Sequence, residues 1–213
     1  MTGSKVHISS SDRNEAKIGL TFDDGPNPFY TRKVLEILKE KNVTATFFLI
    51  GKWVEKYPDI VNDIVKSGHT VGNHSYSHEK GDFELADSQF TKVIKYSPLY
   101  FRLPHINFSF LDDASLEYKQ AKKNITMEVD SWDFTNISSD SIYRNVIDNT
   151  RNGSLVAFHD GSENPHELES RPSEMVKILP KIIDTLMLRF TLDKLDNLHL
   201  TETTTPFITN KSY

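Results

Sequence analysis

A single α/β domain with parallel strand pairing is the fold class that the sequence predicts, and three observations carry it. From Lys17 onward, short apolar or β-branched runs alternate with amphipathic stretches of helical period, the pattern of strands covered by the helices that connect them, in either a barrel or an open sheet. No internal repeat, charge block or Pro/Gly/Ser-rich linker divides the chain. Its 213 residues, 37% hydrophobic and 26% charged, suffice for one sizeable core.

Taken in order, Lys17 to Phe22 (KIGLTF) reads as a buried strand. Thr31 to Lys41 follows as a helix, with Val34, Leu35, Ile37 and Leu38 on one face. Thr44 to Ile50 (TATFFLI) is β-branched and aromatic and reads as the next strand. Pro58 to Lys66 is an amphipathic helix with proline at its start and Gly68 beyond its end, before a strand at His69 to Val71. Farther on, Tyr100 to Leu103, Thr126 to Val129 and Ser154 to Phe158 read as strands, and Tyr143 to Thr150 and Met175 to Leu188 as helices. In either parallel architecture, ligand chemistry gathers at the carboxyl ends of the strands.

Composition narrows the function classes. Lys plus Arg number 25 against 30 Asp plus Glu, so the formal charge of -5 supplies no cationic field for nucleic acid or anionic lipid. There is no cysteine, so a metal site has to come from histidine and carboxylate, and the chain has eight histidines. The polar start MTGSKVHISSSDRNEAK lacks the apolar core of a signal peptide, and no stretch approaches the roughly 20 apolar residues that span a bilayer. The compartment is left open.

Two motifs follow strands. Thr21-Phe22-Asp23-Asp24-Gly25-Pro26 puts adjacent carboxylates at a strand's carboxyl end. Taken alone, DDGP is an ordinary turn. A cation on one carboxylate would relieve their repulsion and leave the other free to act as a base. Asn73-His74-Ser75-Tyr76-Ser77-His78 holds two histidines four apart, which on a helical turn point the same way. An exposed helix could carry them without a metal, but Asp plus two His is a three-ligand set that leaves a position open for water.

Together TFDDGP and NHSYSH resemble the polysaccharide deacetylases, the NodB-homology family also called carbohydrate esterase family 4. Further motifs follow in order. Phe101-Arg102-Leu103-Pro104-His105 is similar to the family's Arg-x-Pro-Tyr, and Asp130-Ser131-Trp132-Asp133-Phe134 to its Asp-x-x-Asp-Trp. Leu155 to Asp160 (LVAFHD) stands where the last motif carries a histidine. Five ordered motifs are far more specific than one.

The resemblance implies a distorted (β/α) barrel as a single domain over residues 17–200, with a polar N-terminal extension (1–16) and a C-terminal tail (201–213). It implies a divalent metal, zinc in the usual case, on Asp24, His74 and His78, with Asp23 as general base toward the water that the cation activates. His159 would be the acid that protonates the departing amine, and the main-chain N–H of His105 would face the oxyanion. Arg102 would hold Asp23 ionised, and Asp133, with Asp130 as a weaker candidate, would orient His159. The implied activity is removal of N-acetyl groups from amino sugars of a glycan (chitin-type, peptidoglycan or poly-N-acetylglucosamine). An O-acetyl esterase, a sugar deformylase and a silent glycan-binding relative are the alternatives. The implied partner is an N-acetylated oligo- or polysaccharide, and nothing indicates an oligomeric state.

The sequence departs from the family pattern at particular positions. His105 replaces the usual Tyr, Ile106 the usual Gly, Phe134 the usual Trp, and Met127 stands where an upstream Trp is common. Trp132 is expected to compensate in part. Ala157 stands where Leu lines the pocket for the acetyl methyl, with Phe158 expected to fill the space. The segment Glu79 to Tyr100 is short for the family, and Asp160 to Pro172, which includes His166, reads as a rim loop or a solvated connection.

Overall fold

The computed structural model describes residues 5–164 and 172–205, so His166 lies outside the described residues. Strand β1 (Lys5–Ser11) leads into β2 (Lys17–Asp23), α1 (Tyr30–Lys41), β3 (Thr46–Leu49), α2 (Gly51–Lys56), α3 (Pro58–Lys66), β4 (Thr70–Asn73) and α4 (Phe83–Ile94). Next come β5 (Tyr100–Phe101), α5 (Leu116–Ala121), β6 (Lys123–Asn124), β7 (Val129–Asp130), α6 (Ser139–Asn149), β8 (Leu155–His159), α7 (Ser173–Met187), β9 (Thr191–Asp193) and β10 (Leu200–Thr205).

Eight strands form one sheet in the order β6-β5-β4-β3-β2-β8-β7, with β9 alongside β2, and all their pairings are parallel. The sheet curls into a half-barrel, as the sequence leads one to expect. Its ends, β6 and β7, do not pair. The gap is spanned by an antiparallel ribbon of β1 and β10, from which Ile8 bridges to Ile125 and Ser10 to Ser154. A strand over Thr126 to Val129 is not formed. Thr126 N–H donates to Ile8 C=O at 2.7 Å and Glu128 N–H to Leu155 C=O at 3.0 Å, so the segment crosses between neighbours and becomes β7 only at Val129.

Strand alternation divides the apolar residues between two layers. Ile18, Leu20, Phe22, Phe47, Leu49, Val71, Val156 and Phe158 pack outward against Val34, Leu38, Ile60, Ile64, Val146 and Ile182 of the helices. Phe48, Tyr100, Leu155, Ile8 and Ile125 form a second cluster with Leu195 and Leu198. Fully burying one such side chain contributes about 1.5–3 kcal/mol. Ser138 caps α6 by accepting the Ser141 N–H, which starts that helix at Ser139 rather than Tyr143. The short Glu79 to Tyr100 segment still contains a helix, α4, whose Phe83, Ala86 and Phe90 are buried.

Candidate active site

The same alternation sets the site. Asp23 ends β2 and His159 ends β8, and the two residues are partners in the parallel register. Thr21 and Ala157, two residues earlier on each strand, are also partners. Phe22 and Phe158 lie on the opposite face, stacked with ring centroids 5.6 Å apart in the outer core. Phe158 therefore does not fill the space beside Ala157, because the period of two turns it away from the site.

Asp24 leaves the strand direction with φ at 72°, in the left-handed region, and its carboxylate meets two imidazoles. Its Oδ1 lies 3.3 Å from His74 Nε2 and 3.1 Å from His78 Nε2, and the three ligand atoms fall within 4.8 Å of one another, all on buried residues. The histidines reach this point from a bend, not from the helical turn that their spacing suggested. Asn73 Oδ1 accepts the Ser75 N–H at 2.8 Å, Ser75 Oγ accepts the His78 N–H at 3.0 Å, and Asp82 Oδ1 accepts from Tyr76 and Ser77 at 2.8 and 3.2 Å. Ser75 (φ 61°) and His78 (φ 71°) are both left-handed. These local bonds from Asn, Ser and Asp side chains outcompete a helical turn, and the Asn and Ser flanking the histidines were the sequence signal for it.

The donor set fits a cation. His74 Nδ1 is 3.0 Å from the carbonyl of Arg102, which can only accept, so the proton sits on Nδ1 and the Nε2 lone pair faces Asp24. Asp24 Oδ1 is buried and has no hydrogen-bond partner among the described residues. A carboxylate oxygen and two imidazole nitrogens converging without hydrogen bonds is the donor set that zinc takes.

Asp23 faces a different partner. The Arg102 guanidinium is buried and donates to Asp23 Oδ1 at 2.7 Å and to Thr21 Oγ1 at 2.8 Å. It also donates to the carbonyls of Ile125 and Thr126 at 3.3 and 3.1 Å, and it lies 4.2 Å from the centre of the Phe48 ring. His159 is held twice by Asp133, Nδ1 to Oδ1 at 2.7 Å and backbone N–H to Oδ2 at 2.9 Å. Burial favours the neutral imidazole, but the charge and hydrogen bond of Asp133, with Asp24 and Asp23 beyond, push its pKa up to about 10. The Asp130 carboxylate accepts the Trp132 N–H at 2.9 Å, whereas the hydrogen bonds of His159 go to Asp133.

Trp132 is 51% exposed and stacks on Phe134, whose ring meets His159 edge-on at 5.1 Å. His105, with φ at 53°, packs its ring edge-on against His78 at 4.6 Å. Sequence reasoning passed over Asp160 and Thr31. Asp160 is fully buried, and its carboxyl is pushed up to about 7 by burial against the hydrogen bond from Thr31. Its place directly after His159 was the available signal. Trp53 Nε1 and Lys52 Nζ donate to the carbonyls of Ser162 and Glu163, both at 3.0 Å, and so tie the described start of the segment after β8 to α2.

The polysaccharide deacetylase family model matches residues 10–125, more than half of the chain. A peptidoglycan-N-acetylglucosamine deacetylase of Bacillus cereus is 34% identical over 189 residues, covering 83% of this chain and 67% of the relative. A chitooligosaccharide deacetylase of Azorhizobium caulinodans is 30% identical over 162 residues, covering 70% of this chain and 76% of the relative. Among solved structures, a peptidoglycan N-acetylglucosamine deacetylase in complex with a naphthyl N-hydroxybenzamide superposes with a TM-score of 0.81 at 30% identity, covering 90% of this chain and 92% of that one. On sequence and on backbone alike, this chain belongs to the polysaccharide deacetylase family.

Proposed function

We propose that the chain is a metal-dependent hydrolase that removes N-acetyl groups from the amino sugars of a glycan, chitin-type, peptidoglycan or poly-N-acetylglucosamine. Asp24, His74 and His78 would hold a divalent cation, zinc first, which when bound polarises the acyl oxygen and acidifies water. Asp23, paired with the Arg102 guanidinium, takes the proton of the water that attacks the acetamide carbon. The main-chain N–H of His105 faces the negative charge that develops on the acetyl oxygen. His159, protonated and steadied by Asp133, gives its proton to the amide nitrogen as the C–N bond breaks, and the sugar leaves as an amine with acetate as the other product. Similarity to relatives named for peptidoglycan and chitooligosaccharide deacetylation supports the glycan substrate.

One observation carries this reading: two consecutive carboxylates have been given opposite environments, one among imidazoles and one against a guanidinium, with a protonated histidine across the strand pair. A protein that only binds glycan needs neither the base nor the acid. The test is acetate release from chitin oligomers, peptidoglycan and poly-N-acetylglucosamine, with and without chelator. Activity lost to chelation and restored by zinc is expected. Zinc-loaded protein that binds the oligomers yet releases no acetate would refute the reading.

A further inference from the structure

The left-handed backbone of Asp24 is costly for a residue with a side chain, of order 1 kcal/mol or more, and persists only where its surroundings over-determine it. Those surroundings are the residues just past β8. A Cβ added to Gly161 would lie 2.2 Å from the Asp24 carbonyl oxygen, and one added to Gly25 would lie 2.7 and 2.8 Å from the two carboxyl oxygens of Asp160. The two segments touch with no room for a side chain at either glycine, and the Asp160 carboxyl occupies the contact.

Asp160 grips the Asp23–Asn27 turn in two ways. Its backbone N–H donates to the Asp23 carbonyl at 3.1 Å, and its Oδ2 accepts from the Thr31 hydroxyl. Thr31 Oγ1 in turn accepts the Asn27 N–H at 2.7 Å, and Asn27 Oδ1 accepts from Phe29 and Tyr30 at 2.8 and 3.0 Å where α1 begins. From β3, the Ile50 N–H reaches the Gly25 carbonyl at 2.8 Å. Asp160 and Thr31 are both fully buried.

We propose that Asp160, acting through Thr31, is a positioning residue for Asp24: it braces the turn after β2 from the end of β8, so that Asp24 faces His74 and His78 while Asp23 stays on Arg102. The acid His159 and the brace are consecutive, so one strand end fixes the proton donor and the ligand-bearing turn relative to each other. This inference rests on the reading of Asp24 as a metal ligand.

The test measures zinc affinity by competition with a chromophoric chelator, beside steady-state acetate release from a chitin oligomer. Thr31→Val removes the hydroxyl from both of its hydrogen bonds at nearly constant volume. It is expected to weaken zinc binding about 10- to 100-fold, the usual effect of losing a group that orients a ligand, and to lower kcat while KM changes less than about twofold. Thr31→Ser restores the hydroxyl and is expected to recover both properties, which simple loss of packing would not allow. Unaltered zinc affinity in folded Thr31→Val overturns the inference; should that variant not fold, the same result in Thr31→Ala does so. Failure of the unaltered chain to bind zinc would overturn the metal reading itself, a separate outcome.

Discussion

Asp23 and Asp24 are adjacent in sequence and separate in electrostatics. Asp23 Oδ1 lies 2.7 Å from the Arg102 guanidinium, whereas Asp24 Oδ1 lies 3.1 and 3.3 Å from two imidazoles. The left-handed backbone at Asp24 takes it off the alternation of β2.

The two carboxylates should therefore fail differently. Asp23→Asn is expected to keep zinc at unaltered stoichiometry and to lose about 10²–10⁴ in kcat, the range for a missing general base. Asp24→Asn and His78→Ala are expected to lose the metal. Elemental analysis of dialysed protein beside acetate release separates the two cases, and loss of zinc from Asp23→Asn would count against the assignment.

Arg102 is the largest fully buried side chain among the described residues, and its ion pair with Asp23 is buried with it. Arg102→Met strands the Asp23 charge, and breaking a buried pair in this way costs about 3–5 kcal/mol. Urea denaturation of the metal-free protein is the measurement. Arg102→Lys is expected to recover only part of the loss, because an ammonium cannot reproduce the forked contacts to Asp23, Thr21 and Thr126.

His159 has its pKa raised from 6.5 to about 10. A raised cationic pKa contributes stability that is fully present below 6.5 and is lost as pH rises through about 10. Catalysis by the protonated ring should fall along the same alkaline limb. Asp133→Asn removes the principal charge that raises the value, so the limb in kcat/KM should move toward neutral pH. A limb that stays in place would show that another group sets it.

Trp132 presents a half-exposed indole backed by Phe134, itself in contact with His159. A sugar ring bound beside the reacting acetamide would lie on that face. Trp132→Ala is expected to raise KM for chitin oligomers about 3- to 10-fold, on the scale of one aromatic contact. Hydrolysis of a small aryl acetate, which has no neighbouring sugar, should be unchanged.

Much of this arrangement was legible in the sequence because strands have period two and the chemistry sits at their carboxyl ends. KIGLTFDD and LVAFHD each announce a buried strand followed by ionisable residues, and β2 and β8 place Asp23 and His159 in register. What stayed hidden depends on backbone hand or on contacts distant in sequence. The histidine spacing suggested a helical turn, whereas the bonds of Asn73 and Ser75 produce a bend. The suggestion that Phe158 lines the acetyl pocket ignored the strand's own alternation. Thr31 and Asp160, 129 positions apart, meet only once the sheet has formed.

The stacking of Arg102 on Phe48 stops the half-barrel beneath Asp23 as a cork stops a flask. In the proposed reaction, water and the acetamide therefore meet Asp23 from the carboxyl ends of β2 and β8.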